Sequence, residues 1–169
     1  SFVLFFLIFM NNKLYFLALC GTSALNLISC SETSPVPNVV FILADDLGYG
    51  DLSFLGQKHF DTPNIDRLAS QGMVFTQHYS GSSVSAPSRS VLLTGLHTGH
   101  APIRGNKEMQ GEGQEPMPSS AYTLFDLFKD KGYSTGVFGK WGLGYPGSDG
   151  DPSAHGVDDF YGYNCQRYS

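Results

Sequence analysis

The sequence predicts an α/β fold, with a mostly parallel sheet flanked by helices. Two observations predict it. The run "NVVFILADD" (38–46) is continuously apolar until it ends in two carboxylates, and strand-like and helix-like stretches alternate after it. An apolar run without polar alternation is the pattern of a strand covered on both faces, as parallel strands are. Strands alternating with helices bury both element types when the helices pack on the faces of one sheet.

Taken in order, residues 38–46 predict the first strand, with Asp45 and Asp46 at its carboxy end. "TPNIDRLASQGM" (62–73) predicts a helix. Pro63 suits its first turn, Ile65, Leu68 and Ala69 recur at helical spacing, and Gly72 stops it. "MVFTQHYS" (73–80) returns to strand character. "SAPSRSVLLTG" (85–95) opens a second helix, with Ser85 near the N-cap, Pro87 in the first turn and Thr94-Gly95 closing it. "TLFDLFKDKG" (123–132) predicts a third helix, capped by Thr123 and ended by Gly132, and "STGVFGKW" (134–141) a final strand. The polar stretch 105–120 is either an excursion over a site or a flexible connection. The aromatic-rich stretch before Ser169 offers no closing element, so the chain reads as cut off.

The bulk numbers narrow the class. A length of 169 residues is one domain's worth. With 41% hydrophobic and 15% charged residues the chain can build a core and is no disordered tail. A net charge of −5 without any Lys/Arg run argues against nucleic acid as a partner.

Residues 1–30 form a separate region. "MNNKLYFLALCGTSALNLISC" (10–30) has a polar start with Lys13, an apolar stretch from Leu14, and small residues before Cys30. Thr22, Ser23 and Asn26 interrupt the apolar run, so the order fits a secretory signal peptide better than a spanning helix. Leu27-Ile28-Ser29-Cys30 resembles a bacterial lipobox, which makes Cys30 a candidate for lipidation and the expected location the periplasm or the outer-membrane or cell surface. Residues 1–9 read as lying upstream of the true start at Met10, and residues 31–37 as a linker. Beyond the anchor the sole cysteine is Cys165, so the chain holds no disulfide framework.

Three groups of residues can carry chemistry. Asp45 and Asp46 would repel each other in a half-buried crevice unless a cation joined them, and hard oxygens suit Ca²⁺ or Mg²⁺. A solvated Asp-Asp turn is the competing reading. Ser85 lies at a helix N-terminus, where free backbone N–H donors and the dipole favour an anion. Arg89, four residues on, shares its face, and a planar guanidinium suits a tetrahedral oxyanion. A serine cap beside a surface arginine would look the same. Lys140, in "GKWGLG" (139–144), could neutralise an anionic substrate or simply mark a strand end.

Together, "NVVFILADDLGYGDL", "TPNIDRLASQG", "SAPSRSVLLTG" and "GYSTGVFGKW" closely resemble the N-terminal part of the type I sulfatases, the arylsulfatase family of the alkaline-phosphatase-like superfamily. The Ser-x-Pro-x-Arg signature followed by Thr-Gly is the specific element. The resemblance covers 36–169 and implies that 38–169 is the N-terminal portion of a catalytic domain built as an alkaline-phosphatase-like sandwich. It implies that Ser85 is oxidised by a formylglycine-generating maturase to 3-oxoalanine, whose hydrate attacks sulfur and then expels sulfate as the aldehyde reforms. It further implies that Asp45, Asp46 and the modified Ser85 bind a metal, usually Ca²⁺, that Arg89 supports the hydrate, and that Lys140 touches the sulfate. The implied substrate is a sulfated carbohydrate or glycosaminoglycan fragment. Residues 147–163 are candidates for the sugar pocket or, equally, for core.

Two departures qualify the resemblance. The family often has histidine where this chain has Gly142, and His97, His100 and His155 are the residues that could take over its role. The family's remaining metal ligands, a further histidine and a second lysine belong to a part of the fold beyond residue 169, so the fragment alone is expected to be inactive. The alternatives are a phosphoester or phosphonate hydrolase on the same fold, which needs no maturation signature, and a lipoprotein that binds sulfated glycan without turnover. A nucleophile-elbow hydrolase is disfavoured because no Gly-x-Ser-x-Gly surrounds Ser85.

Overall fold

The computed structural model describes residues 36–109 and 113–165. The expected signal peptide, Cys30 and residues 31–35 of the linker lie outside the described residues. Within them the architecture is α/β. Helices α1 (Pro63–Gln71), α2 (Ser85–Thr94) and α3 (Leu124–Asp130) precede two parallel strands, β1 (Gly136–Lys140) and β2 (Asp159–Tyr163). Short 3₁₀ turns cover Tyr49–Asp51, Ser53–Leu55 and Pro152–His155.

Each helix forms where its end signals lie. Pro63 occupies the first turn of α1, and Ile65, Leu68 and Ala69 make its half-buried face. Asp66 of that helix accepts from the hydroxyls of Ser53 and Thr62 (2.5 and 2.7 Å), tying α1 to the preceding turn. In α3 the Thr123 hydroxyl accepts from the Asp126 N–H at 3.3 Å while the Asp126 carboxylate accepts from the Thr123 N–H at 2.8 Å, a reciprocal capping box. Gly95, at φ 67°, closes α2 by donating its N–H to the Val91 carbonyl.

The sheet differs from expectation in three places. Among the described residues, 38–46 form no ladder, and Asn38 makes only an isolated bridge. Val40 and Ile42 are about half exposed while Val39, Phe41 and Leu43 turn inward, so one face of the run is uncovered among the described residues. An apolar pattern reports a tendency to be buried, whereas a strand also needs a neighbour to complete its backbone hydrogen bonds. Residues 73–80 are likewise irregular, with Met73, Phe75 and Tyr79 exposed. Conversely, the aromatic run expected to lack an element becomes β2, which pairs with β1 from Gly136↔Asp159 to Lys140↔Tyr163. That places Asp159–Tyr163 of the stretch 147–163 in the sheet.

The core joins α2 to this sheet. Ala86, Ile103, Met117, Trp141, Leu143 and Val157 form one buried cluster, with Leu93, Ala121, Phe125, Val137 and Phe160 packed against it. Trp141 follows β1 directly. Its indole N–H donates to the Gly150 carbonyl at 2.7 Å, and its ring packs near Phe125 and His155. The ladder runs past β1, with Trp141 N–H donating to Tyr163 and Gly142 N–H to Asn164. The polar stretch 105–120 is pinned rather than free where it is described: Met117 is fully buried and its N–H donates to the Leu143 carbonyl at 2.8 Å.

Candidate active site

Ser85 is the first residue of α2, one position inside the expected cap, because Val84 has the extended backbone of the N-cap residue. Val84 has no side-chain oxygen to satisfy the free N–H groups of the first turn. Asn106, twenty residues away, does so, its carboxamide oxygen accepting from the Ala86 N–H at 2.8 Å. The long polar stretch therefore completes the helix end that carries Ser85. Asn106→Ala is expected to lower stability by about 1 kcal/mol through loss of this cap. The urea midpoint of the full-length protein measures it, and an unchanged midpoint would show that water replaces the carboxamide.

One turn along α2, Arg89 reaches back over Ser85. Its Nε donates to Ser85 Oγ at 3.0 Å and its Nη1 to the Lys140 carbonyl at 2.8 Å, and its Nη2 lies 3.6 Å from Asp45 Oδ1. Lys140 Nζ donates to Asp45 Oδ2 at 3.0 Å. The Lys140 and Arg89 side chains are only 7% and 12% exposed, against 42% for Asp45, so two desolvated cations share one carboxylate at the surface. Burial pulls the Arg89 guanidinium below its ordinary value, and the charge of Asp45 opposes that pull. Helix α2, the end of β1 and the Asp45 bend thus bring Ser85, Arg89, Lys140 and Asp45 into one cluster. Asp46 follows with φ 60°, a left-handed backbone that costs a non-glycine residue free energy and is found at functional turns.

A small depression, open to solvent, is lined by Ser85, Ala86, Asn106, Gln114, Lys140 and Gly142. None of the three candidate histidines joins the cluster among the described residues. His155 is fully buried against Trp141. His97 and His100 follow the C-terminal end of α2, the end opposite Ser85. Asn106 and Gln114 are the residues that motif reading passed over. The signal for Asn106 was the uncapped Val84, since a helix start without a side-chain acceptor requires one from elsewhere.

A family model described as "Sulfatase" matches residues 37–168, most of the chain. The chain belongs to the sulfatase family. Among curated sulfatases it is 46% identical over 119 residues to an N-acetylgalactosamine-6-O-sulfatase of Bacteroides thetaiotaomicron, covering 67% of this chain and 22% of that protein. It is 38% identical over 151 residues to the N-acetylgalactosamine-6-sulfatase of Rattus norvegicus, covering 85% of this chain and 28% of that protein. The solved structure titled "Crystal structure of Ps i-CgsB" superposes with a TM-score of 0.65 at 35% identity over 74% of this chain and 27% of the other. A Bacteroides thetaiotaomicron structure, titled for the metabolism of multiple glycosaminoglycans, gives 0.61 at 38% identity, over 70% of this chain and 26% of the other. The sulfatase chain thus spans about a quarter of the length of these relatives. The α/β fold is that of the sulfatases.

Sulfatases are generally metal-dependent. Asp45 and Asp46 fit such an ion in kind, as adjacent hard carboxylates, with Asp45 held near Arg89 and Lys140. They fall short in number, because no group of three acidic, histidine or cysteine ligands converges among the described residues.

The backbone at Gly142, where the family often has histidine, favours glycine. Its φ is 76°, and a Cβ there would lie 3.3 Å from Arg89 Cδ. Gly142→His is expected to destabilise the fold by about 1–2 kcal/mol from the left-handed backbone alone. Urea unfolding of the full-length variant tests this, and an unchanged midpoint would oppose it.

Proposed function

We propose that the protein carrying this chain hydrolyses sulfate esters of sulfated carbohydrates, glycosaminoglycan fragments among them. The observation that supports this reading is the cluster in which Arg89 donates to Ser85 Oγ while Lys140 is held by Asp45 beside it. In this reading a maturase converts Ser85 to formylglycine, which is hydrated to a diol. One diol oxygen attacks sulfur, the S–O bond to the sugar breaks, and the sugar alcohol leaves with a proton. The second diol hydroxyl then loses its proton, the aldehyde carbonyl reforms, and the C–O bond to sulfate breaks. Water rehydrates the aldehyde.

The chain's own side chains provide the electrostatics. Arg89 Nε holds the oxygen on residue 85 in place, and its charge offsets the negative charge that develops there. Lys140 lies within reach of the same depression, so its ammonium can pair with a sulfate oxygen as it now pairs with Asp45. Asp45 and Asp46 would hold the metal, Ca²⁺ or else Mg²⁺, which supplies Lewis-acid polarisation when bound. Residues 10–30 support export, with Cys30 as the lipid-anchored residue in the periplasm or at the cell surface.

The test is the mass of the tryptic peptide Leu68–Arg89 after co-expression of the full-length protein with a maturase. Loss of two hydrogens at position 85, with an aldehyde that reacts with hydrazine and sulfate release from N-acetylgalactosamine 6-sulfate, is the expected result. An unmodified Ser85 together with phosphoester hydrolysis would replace this reading with the phosphohydrolase one, and binding of sulfated glycan without turnover would replace it with the binding-protein one.

A further inference from the structure

We propose that Gln114 recognises the sugar, accepting a hydrogen bond from a hydroxyl group near the sulfate ester. The proposal rests on the sulfate-ester reading above. Gln114 lines the depression that holds Ser85, Lys140 and Gly142, and its Oε1 is buried with no hydrogen-bond partner among the described residues. The other polar groups of that wall are engaged. Asn106 Oδ1 accepts from Ala86, Ser85 Oγ accepts from Arg89, and Lys140 donates to Asp45. A buried acceptor without a donor is unfavourable, and a ligand that brings the donor relieves it.

The chemistry of the acceptor names its partner. A sulfate group carries oxygens that only accept, so it cannot supply the donor that Gln114 Oε1 lacks. A sugar hydroxyl donates, and on N-acetylgalactosamine, the sugar the relatives are named for, the 4-hydroxyl is the donor nearest a 6-sulfate. Gln114 also stands on a fixed backbone. It forms a bridge with Glu108, its N–H donates to the Gly144 carbonyl at 3.5 Å, and the next N–H, of Glu115, donates to Lys107 at 2.8 Å. Lys107 and Glu115 are joined by an ion pair of 2.7 Å. A carboxamide held in this way is suited to specificity, because its position does not have to be ordered by the ligand.

The experiment uses the full-length protein matured at residue 85, with Gln114→Met as the variant, which keeps the length of the side chain and removes the acceptor. Two readouts are taken. The first is the ratio of kcat/KM for N-acetylgalactosamine 6-sulfate to that for 4-nitrophenyl sulfate, which carries no O–H or N–H donor. The second is the calorimetric affinity for N-acetylgalactosamine 6-sulfate in the unmatured protein. The ratio is expected to fall about tenfold in the variant, and the affinity to fall with it. Equal affinity of wild type and variant, no binding by either, or a parallel loss on both substrates would overturn the proposal. If residue 85 carries no aldehyde and neither substrate turns over, while binding still depends on Gln114, the sulfatase reading fails and the recognition role stands.

Discussion

Replacing Arg89 by lysine is expected to lower kcat/KM of the matured full-length protein on 4-nitrophenyl sulfate by about 10²–10³-fold, the usual effect of losing one preorganised donor at a reacting oxygen. The reason is geometric. One guanidinium serves three partners: Ser85 Oγ, the Lys140 carbonyl and Asp45. A lysine ammonium is a point charge on a flexible stem and cannot span all three. The Lys140 carbonyl would lose its partner, so the end of β1 would shift with the charge it presents. Because the proposed maturation would also read Arg89, the mass of residue 85 is measured on the same sample. Full conversion with slow turnover assigns the loss to the reaction, and an unconverted serine assigns it to maturation. Turnover within about threefold of wild type at full conversion would refute the role given to Arg89.

Trp141→Ala is expected to destabilise the full-length protein by about 3–5 kcal/mol, the range for emptying a large aromatic site in a core. Trp141 is 3% exposed, packs near Phe125 and His155, and holds the Gly150 carbonyl through its indole N–H. Removing it leaves both a cavity and a carbonyl without its donor. Function should follow, since Trp141 separates Lys140 from Gly142 in the chain and its backbone N–H extends the β1–β2 ladder to Tyr163. A drop of the urea midpoint, accompanied by a higher KM for sulfate esters, is the expected pair of results. A midpoint shift below about 1 kcal/mol would mean that the neighbours collapse into the space.

These residues differ in how far the sequence betrayed them. Local spacing pairs Ser85 with Arg89, whereas Asp45 and Lys140, each ambiguous alone, were singled out by the family resemblance of the motifs that hold them. Four residues of helix place Ser85 and Arg89 on one face, wherever that helix packs. The three helices were legible for the same reason: Pro63, Thr123 and Gly95 act on their own neighbours within a turn. Asn106 and Gln114 belong to no motif. They matter through contacts twenty or more residues away, with Ala86 and with the wall around Ser85.

By itself, then, the sequence determined the α/β class, the three helices and the strand that ends at Lys140, because these depend on local chemistry. Tertiary structure alone decided the rest. It made 159–163 a parallel strand on β1, left 38–46 without a ladder among the described residues, sent His155 into the core, and set Gly142 in a left-handed turn against Arg89. The physical reason is common to all four. A ladder, a buried ring and a close backbone approach each require a partner distant in the chain, and no pattern of near neighbours specifies which partner that will be.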